Sequence, residues 1–248
     1  MKFKSIAISL LFSLIATKSL MAITIIEPKS IGSKKGFYGS VDADFQFSNG
    51  DTEKSAYSID SLLGLGRDKS FTFVSAAYQY SDINDRIDTD DAFVHLRHIH
   101  ALASQLTWEG FAQFSQDEGS FIEKRELYGL GLRKFIPSKN REIYFGLGVM
   151  HENKKFKNTA SQRKGLGNFY ISAKFKFVNK SNLFFTLYLQ PHLERVSNFD
   201  ATSLGQYTMP ISEKLSFKFK VSYKHTETPA VGKSRDNTAS VIGLSYQF

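Results

Sequence analysis

From residue 36 onward the sequence reads in steps of two. In Phe169, Ile171, Ala173, Phe175 and Phe177 the apolar residues alternate with Tyr170, Ser172, Lys174 and Lys176. Leu215, Phe217, Phe219, Val221 and Tyr223 alternate with Ser216, Lys218, Lys220, Ser222 and Lys224. An extended strand turns successive side chains to opposite faces, so each segment carries one apolar and one polar face. A helix of period 3.6 would mix the two sets. The same alternation runs through Phe37–Phe47, Ile143–Val149 and Leu183–Leu189. About twelve such segments are expected, near 37–48, 54–65, 70–80, 91–100, 107–116, 124–135, 142–151, 166–178, 183–193, 201–210, 215–225 and 238–248. Segments 70–80 and 91–100 carry apolar residues on both parities, so both facings stay open there.

The connections alternate in length. Short turns follow the even-numbered segments, at 66–69, 101–106, 136–141, 179–182 and 211–214, and longer charged loops are expected at 81–90, 152–164 and 226–237. Asn49-Gly50 reads as a tight hairpin. The five prolines avoid strand centres, as a ladder that must satisfy every donor requires. Lysines in the middle of the polar faces, opposite Phe- and Leu-rich faces, fit a barrel with lipid outside and water inside better than a soluble sandwich. Phe37, Trp108, Phe177, Phe217 and Phe248 fall at the short-turn ends of apolar faces, where an aromatic girdle belongs. The chain ends Ser-Val-Ile-Gly-Leu-Ser-Tyr-Gln-Phe, with Ile242, Leu244, Tyr246 and Phe248 on one face. That ending resembles the C-terminal assembly signal of bacterial outer-membrane proteins. The expected fold is all-β: a transmembrane antiparallel up-and-down β-barrel of about 12 strands, preceded by a cleaved signal peptide.

Lys2 and Lys4 precede an apolar run from Ile6 to Ala16, and Leu20-Met21-Ala22 offers a cleavage site. These are the parts of a secretory signal peptide. The expected organisation is a signal peptide at 1–22, a short periplasmic segment at 23–35 and the barrel at 36–248, exported by the general secretory route to the bacterial outer membrane. The formal net charge is +8, and three lysines with no acid lie within the first 22 residues. The modest excess left on the exported chain gives no reason to expect nucleic acid as a partner. The absence of cysteine excludes a disulfide framework, thiolate metal sites and a cysteine nucleophile.

Ser48-Asn49-Gly50-Asp51-Thr52, Leu132-Arg133-Lys134-Phe135 and Tyr144-Phe145-Gly146-Leu147-Gly148 resemble motifs of the YdiY-like putative salt-induced outer-membrane protein family, a domain-of-unknown-function family. In the hairpin motif Asp51 stands where that family usually has Asn. The resemblance covers roughly residues 37–248. It implies an outer-membrane barrel with a role in osmotic stress, and it carries over no reaction and no catalytic residue.

Chemistry is therefore sought on the polar face. Asp42, Asp44, Asp60 and Glu109 should enter the lumen from one part of the wall, and Arg133, Lys174, Lys176, Lys218 and Lys220 from another. Such a separation would set a transverse field able to steer ions or zwitterions. Inward Gly129, Gly131, Gly146, Gly148 and Gly243 would leave room for a solute path or let the wall curve. The competing reading is a non-conducting barrel whose lumen is filled by paired charges. His95, His98 and His100 lie in one segment, with His95 on the opposite face, so one strand offers at most two convergent ligands and no metal site is assigned. A lipid hydrolase would need a Ser–His pair. His151-Glu152-Asn153 lacks the serine, and His192 near Glu194 and Ser197 is a pairing by proximity alone. No catalytic residue and no cofactor are assigned, and the chain is not expected to be an enzyme. Lys154, Lys155, Lys157, Arg163 and Lys164 form a basic stretch that could meet lipopolysaccharide phosphates. The partners expected are outer-membrane lipid, lipopolysaccharide and the assembly machinery, with the barrel a monomer.

Overall fold

The computed structural model describes residues 35–48, 54–84, 86–157 and 160–247. The expected signal peptide, the Asn49-Gly50 hairpin and Phe248 lie outside them. Twelve strands follow one another: β1 (Gly36–Ser48), β2 (Lys54–Gly66), β3 (Ser70–Ile83), β4 (Arg86–Ala103), β5 (Leu106–Asp117), β6 (Ile122–Ser138), β7 (Arg141–Phe156), β8 (Gln162–Lys176), β9 (Asn182–Pro191), β10 (Phe199–Pro210), β11 (Leu215–His225) and β12 (Asp236–Gln247). Each pairs antiparallel with its neighbours in sequence, and β12 returns to β1, so the sheet is a closed barrel. Closure joins the edges that an open sheet would present, over four positions of the β1–β12 pair.

The strands outrun the sequence expectation at the loop end. The 81–90 and 152–164 segments were expected as loops, but β3 runs to Ile83 and β4 resumes at Arg86, while β7 runs to Phe156 and β8 resumes at Gln162. Charge there marks contact with water, and an extended ladder can continue into water. The 226–235 connection is a true loop between β11 and β12.

Burial resolves the two ambiguous strands. Phe71, Phe73, Ser75 and Ser81 of β3 and Asp91, Phe93, His95, Arg97 and Ile99 of β4 are buried inside, while Val74, Tyr78, Val94 and Leu96 face out. The ambiguity arose because this stretch of interior wall is itself aromatic. Outside, every strand presents large apolar side chains to the surroundings, from Phe45 on β1 and Leu63 on β2 through Leu130 and Leu147 to Ile242 and Leu244 on β12. Soluble monomers rarely expose apolar patches beyond a few hundred Å². A band around the whole circumference is the surface of a barrel in lipid. Phe37 and Phe177 are exposed near its short-turn end, and Trp108 stands on the outer face there beside His98 and His100.

The interior is filled unevenly. From β4 to β9 the inward side chains Phe93, His95, Leu127, Tyr144, Leu166, Tyr170, Phe184 and Tyr188 are all close to fully buried. Two inward glycines expected to leave space instead receive rings from the adjacent strand. Gly129 faces Phe111 and Gly146 faces Tyr170 in register, and the ring occupies the volume a Cβ would need in each case. An aromatic ring laid over a cross-strand glycine fills the wall without a void. Gly131 and Gly148 oppose one another on β6 and β7, where an added Cβ would stand 2.9 Å from Leu147 O or 2.5 Å from Leu130 O.

Candidate functional site: the barrel lumen

Asp42, Asp44, Asp60, Glu109, Arg133, Lys174, Lys176, Lys218 and Lys220 all fall on the inward parity of their strands. The structure corrects the charge separation expected of them. β11 lies two strands from β1 around the ring, so residues far apart in sequence meet. Asp42 and Asp60 stand directly opposite each other on β1 and β2, a like-charge pair that would repel. Lysines from β11 compensate both. Lys218 Nζ donates to Asp42 Oδ2 at 2.7 Å and to Oδ1 at 2.9 Å, and Lys220 Nζ lies 3.8 Å from Asp60 Oδ2. To reach Asp42, Lys218 crosses β12, where Gly243, its cross-strand partner, has no side chain to obstruct it. Ser58 donates to Asp44 Oδ2 at 3.2 Å. On β7 and β8, Lys176 pairs with Glu142.

Glu109 takes part in a different structure. Its Oε2 lies 3.6 Å from Arg97 Nη1 and 4.0 Å from Arg133 Nη1. Tyr170, from the β8 wall, donates to Glu109 Oε1 at 2.8 Å. That bond joins β5 to β8 across the interior. Tyr170 stacks on Tyr188 with centroids 4.9 Å apart, Arg133 lies over the Tyr144 ring at 5.0 Å, and Arg97 over the Phe111 ring at 5.3 Å. All three charged side chains are about 5% exposed or less. Sequence reasoning missed Arg97, Tyr170 and Tyr188, because the ambiguous facing of β4 hid the first and the others read as ordinary aromatics.

The two halves of the lumen thus differ. The β4–β9 half is sealed by aromatics around the Arg97–Glu109–Arg133 triad. Along β11, β1 and β2 the inward charges are more accessible than the triad: Asp60 keeps 35% of its side chain and Lys220 22%, while Asp42 keeps 15% and Lys218 14%.

At the loop end inward acids hold the loops. Asp91 Oδ1 accepts from Glu118 N at 2.7 Å, and Asp200 Oδ1 accepts from Glu227 N at 2.8 Å. Lys164 donates to Thr228 at 2.7 Å. Lys233 lies 4.2 Å from the centre of the Phe121 ring. The β11–β12 and β5–β6 connections stand opposite one another around the ring, so this contact carries the 226–235 loop across the mouth. The basic stretch expected to meet phosphate is largely used internally. Lys154 is buried beside Glu152, whose other oxygen takes Arg125 at 2.6 Å. Lys155 pairs with Glu123 and Lys157 with Glu118, leaving Arg163 exposed.

The remaining sequence candidates separate. His95 is buried among Phe73, Phe93 and Phe111, while His98 and His100 face outward, with Thr72 Oγ1 2.8 Å from His98 Nδ1. His192 faces Asp200, and the Ser197 hydroxyl donates to Asn198, so this histidine and serine form no dyad. His151 lies on the outer face while Glu152 is buried inside. Among the described residues no group of three or more His, Cys, Asp or Glu is placed to hold a metal ion. Ile242, Leu244 and Tyr246 are exposed on one outer face of β12.

The sequence model of the family described as "Protein of unknown function, DUF481" matches residues 41–248. No curated protein matches the chain. Among solved structures, the NanC porin resembles it with a TM-score of 0.54 at 10% identity, over 85% of this chain and 100% of the porin. The KdgM porin resembles it with a TM-score of 0.50 at 9% identity, over 86% of this chain and 99% of the porin. At such identities the likeness is one of fold: a twelve-stranded barrel of the porin kind.

Proposed function

The chain belongs to the DUF481 family of proteins of unknown function, and from its lumen we propose that it is an outer-membrane barrel providing a narrow passage for ions and small polar solutes along one wall. The observation that carries this reading is the contrast between the two halves of the interior. Charges sealed for stability alone would be buried throughout, as around Glu109. The Asp60–Lys220 pair stays partly accessible and the Asp42–Lys218 pair beside it less so, and alternating signs along such a wall suit ions and zwitterions better than bulky neutral solutes. Small charged solutes are also what a cell exchanges under osmotic stress, the role implied by the family resemblance. The Asp44 side chain would border the same water, Lys174 and Lys176 stand apart from it on β8, and Glu109 and Arg133 would hold the opposite side shut. No reaction is proposed.

The test is conductance in planar bilayers. The wild-type barrel is expected to conduct in small steps. Neutralising Lys218→Gln with Lys220→Gln leaves three acids on the wet wall and should raise cation over anion permeability several-fold. A conducting wild type whose selectivity does not move with that pair would remove these residues from the path. A barrel that never conducts would favour the closed, salt-bridged lumen.

A further inference from the structure

The ring closes with a short ladder. β1 and β12 pair from Ser40–Gln247 to Ala43–Leu244, four positions. The next shortest ladder, between β8 and β9, spans eight. Both strands of the closing pair continue beyond Ala43 and Leu244. β1 stays paired with β2 up to Ser48–Lys54, and β12 stays paired with β11 back to Asp236–His225. Continuing the closing register would set Asp44 against Gly243 and Phe45 against Ile242. Among the described residues no such pairs form. At the point where the ladder stops, the Asp44 carboxylate occupies the volume a Cβ on Gly243 would need. The loop-end half of this seam therefore lacks strand-to-strand pairing.

Hydrocarbon does not tolerate unpaired backbone donors and acceptors, unless they line water. Water is at hand here. The inner side of the half-seam carries Asp44, and the Lys218–Asp42 and partly accessible Lys220–Asp60 ion pairs cross it from β11. Its outer side is apolar, with Phe45 68% and Ile242 54% exposed. The axial route past it is crossed at the mouth by the 226–235 loop. A seam that lacks pairing, is charged within, apolar without and crossed above by a loop suits a molecule divided the same way.

We propose that the β1–β12 half-seam is a lateral port for a single-chain zwitterionic amphiphile. A cationic head-group amine meets Asp44 and Asp60, a phosphate meets Lys220 and Lys218, and the acyl chain leaves past Phe45 and Ile242 into the surrounding lipid. The port goes beyond the solute path and shares its wet wall for the head group.

A chain without cysteine makes the test clean. Phe45→Cys with Ile242→Cys places two thiols on the outer face where the ladder would continue. The probe is fluorescent lysophosphatidylcholine in the inner leaflet of vesicles holding the full barrel, extracted by external albumin. The reduced variant should speed extraction, oxidation should slow it at least tenfold, and dithiothreitol should restore it, with ionic conductance within about twofold throughout. Equal extraction by oxidised and reduced barrels overturns the port. So does an absence of barrel-stimulated extraction in a barrel that still conducts, which leaves the solute path standing. Lock-sensitive extraction without conductance keeps the port and removes the path. If the cystine does not form, hydrogen exchange decides. The amides of Ser240–Gly243 that face β1 should exchange much faster than the β1-facing amides of Leu244–Tyr246, with the β11-facing amides of both stretches protected, and equal protection of the two β1-facing sets overturns the open seam. A cystine forming between two barrels carrying one cysteine each would show a second copy seated on the seam, and would also overturn it.

Discussion

Glu109 is the residue whose loss should be felt most. It lies between two guanidinium groups inside an aromatic shell and takes a hydroxyl from β8, three strands away. Removing one partner of a buried ionic group costs about 3–5 kcal/mol, because the remaining charge is left buried and uncompensated. Glu109→Ala leaves both Arg97 and Arg133 in that state. Its unfolding midpoint in denaturant, followed by loss of the fast-migrating folded form on gels, should fall well below that of the wild type. Replacing the acid on the wet wall is a different matter. Asp60 keeps 35% of its side chain accessible beside Lys220, so Asp60→Asn should move the same measurement much less, by about 1 kcal/mol. The contrast between the two acids checks the division of the lumen into a sealed and a wet half.

The element with most influence over access is the 226–235 loop. Among the described residues it is held to the rest of the barrel by Glu227 N on Asp200, Thr228 on Lys164 and Lys233 on the Phe121 ring across the mouth. An exposed cation–π contact contributes about 0.5–1 kcal/mol, enough to bias a loop and too little to lock it. Lys233→Ala should therefore lengthen the open time of the barrel in single-channel records without changing its folded stability. Open times equal to those of the wild type would mean that the loop does not obstruct conduction. The strands beneath behave oppositely. Their ladders extend further toward the loop end than the polarity of 81–90 and 152–164 indicated, because water bathing a strand does not disrupt its pairing with neighbours.

For the whole molecule, the determining fact is that apolar side chains encircle the outside while charges face the centre. The closed ring of paired strands makes such a barrel resistant to detergent until heated. The folded chain should run faster than the boiled chain on gels in cold sodium dodecyl sulfate. A single band position at both temperatures would count against the closed barrel. Crosslinking in native membranes should capture the barrel as a monomer in contact with lipopolysaccharide, and a crosslinked dimer would count against that expectation.

Alternation alone determined that the chain would form about twelve strands with an apolar outside and a charged inside, since a period of two leaves no other way to sort Phe219 from Lys220. It also marked Asp42, Asp44, Asp60, Lys218 and Lys220 as inward, because parity is a local property of a strand. Which acid meets which base is not local. Ring closure brought β11 to within two strands of β1, turned a supposed separation of charge into neighbouring pairs, and joined Glu109 to Tyr170 across the interior. The short seam between β1 and β12 is likewise a property of closure: two strands at opposite ends of the sequence have no common stretch of chain in which their fit could be read.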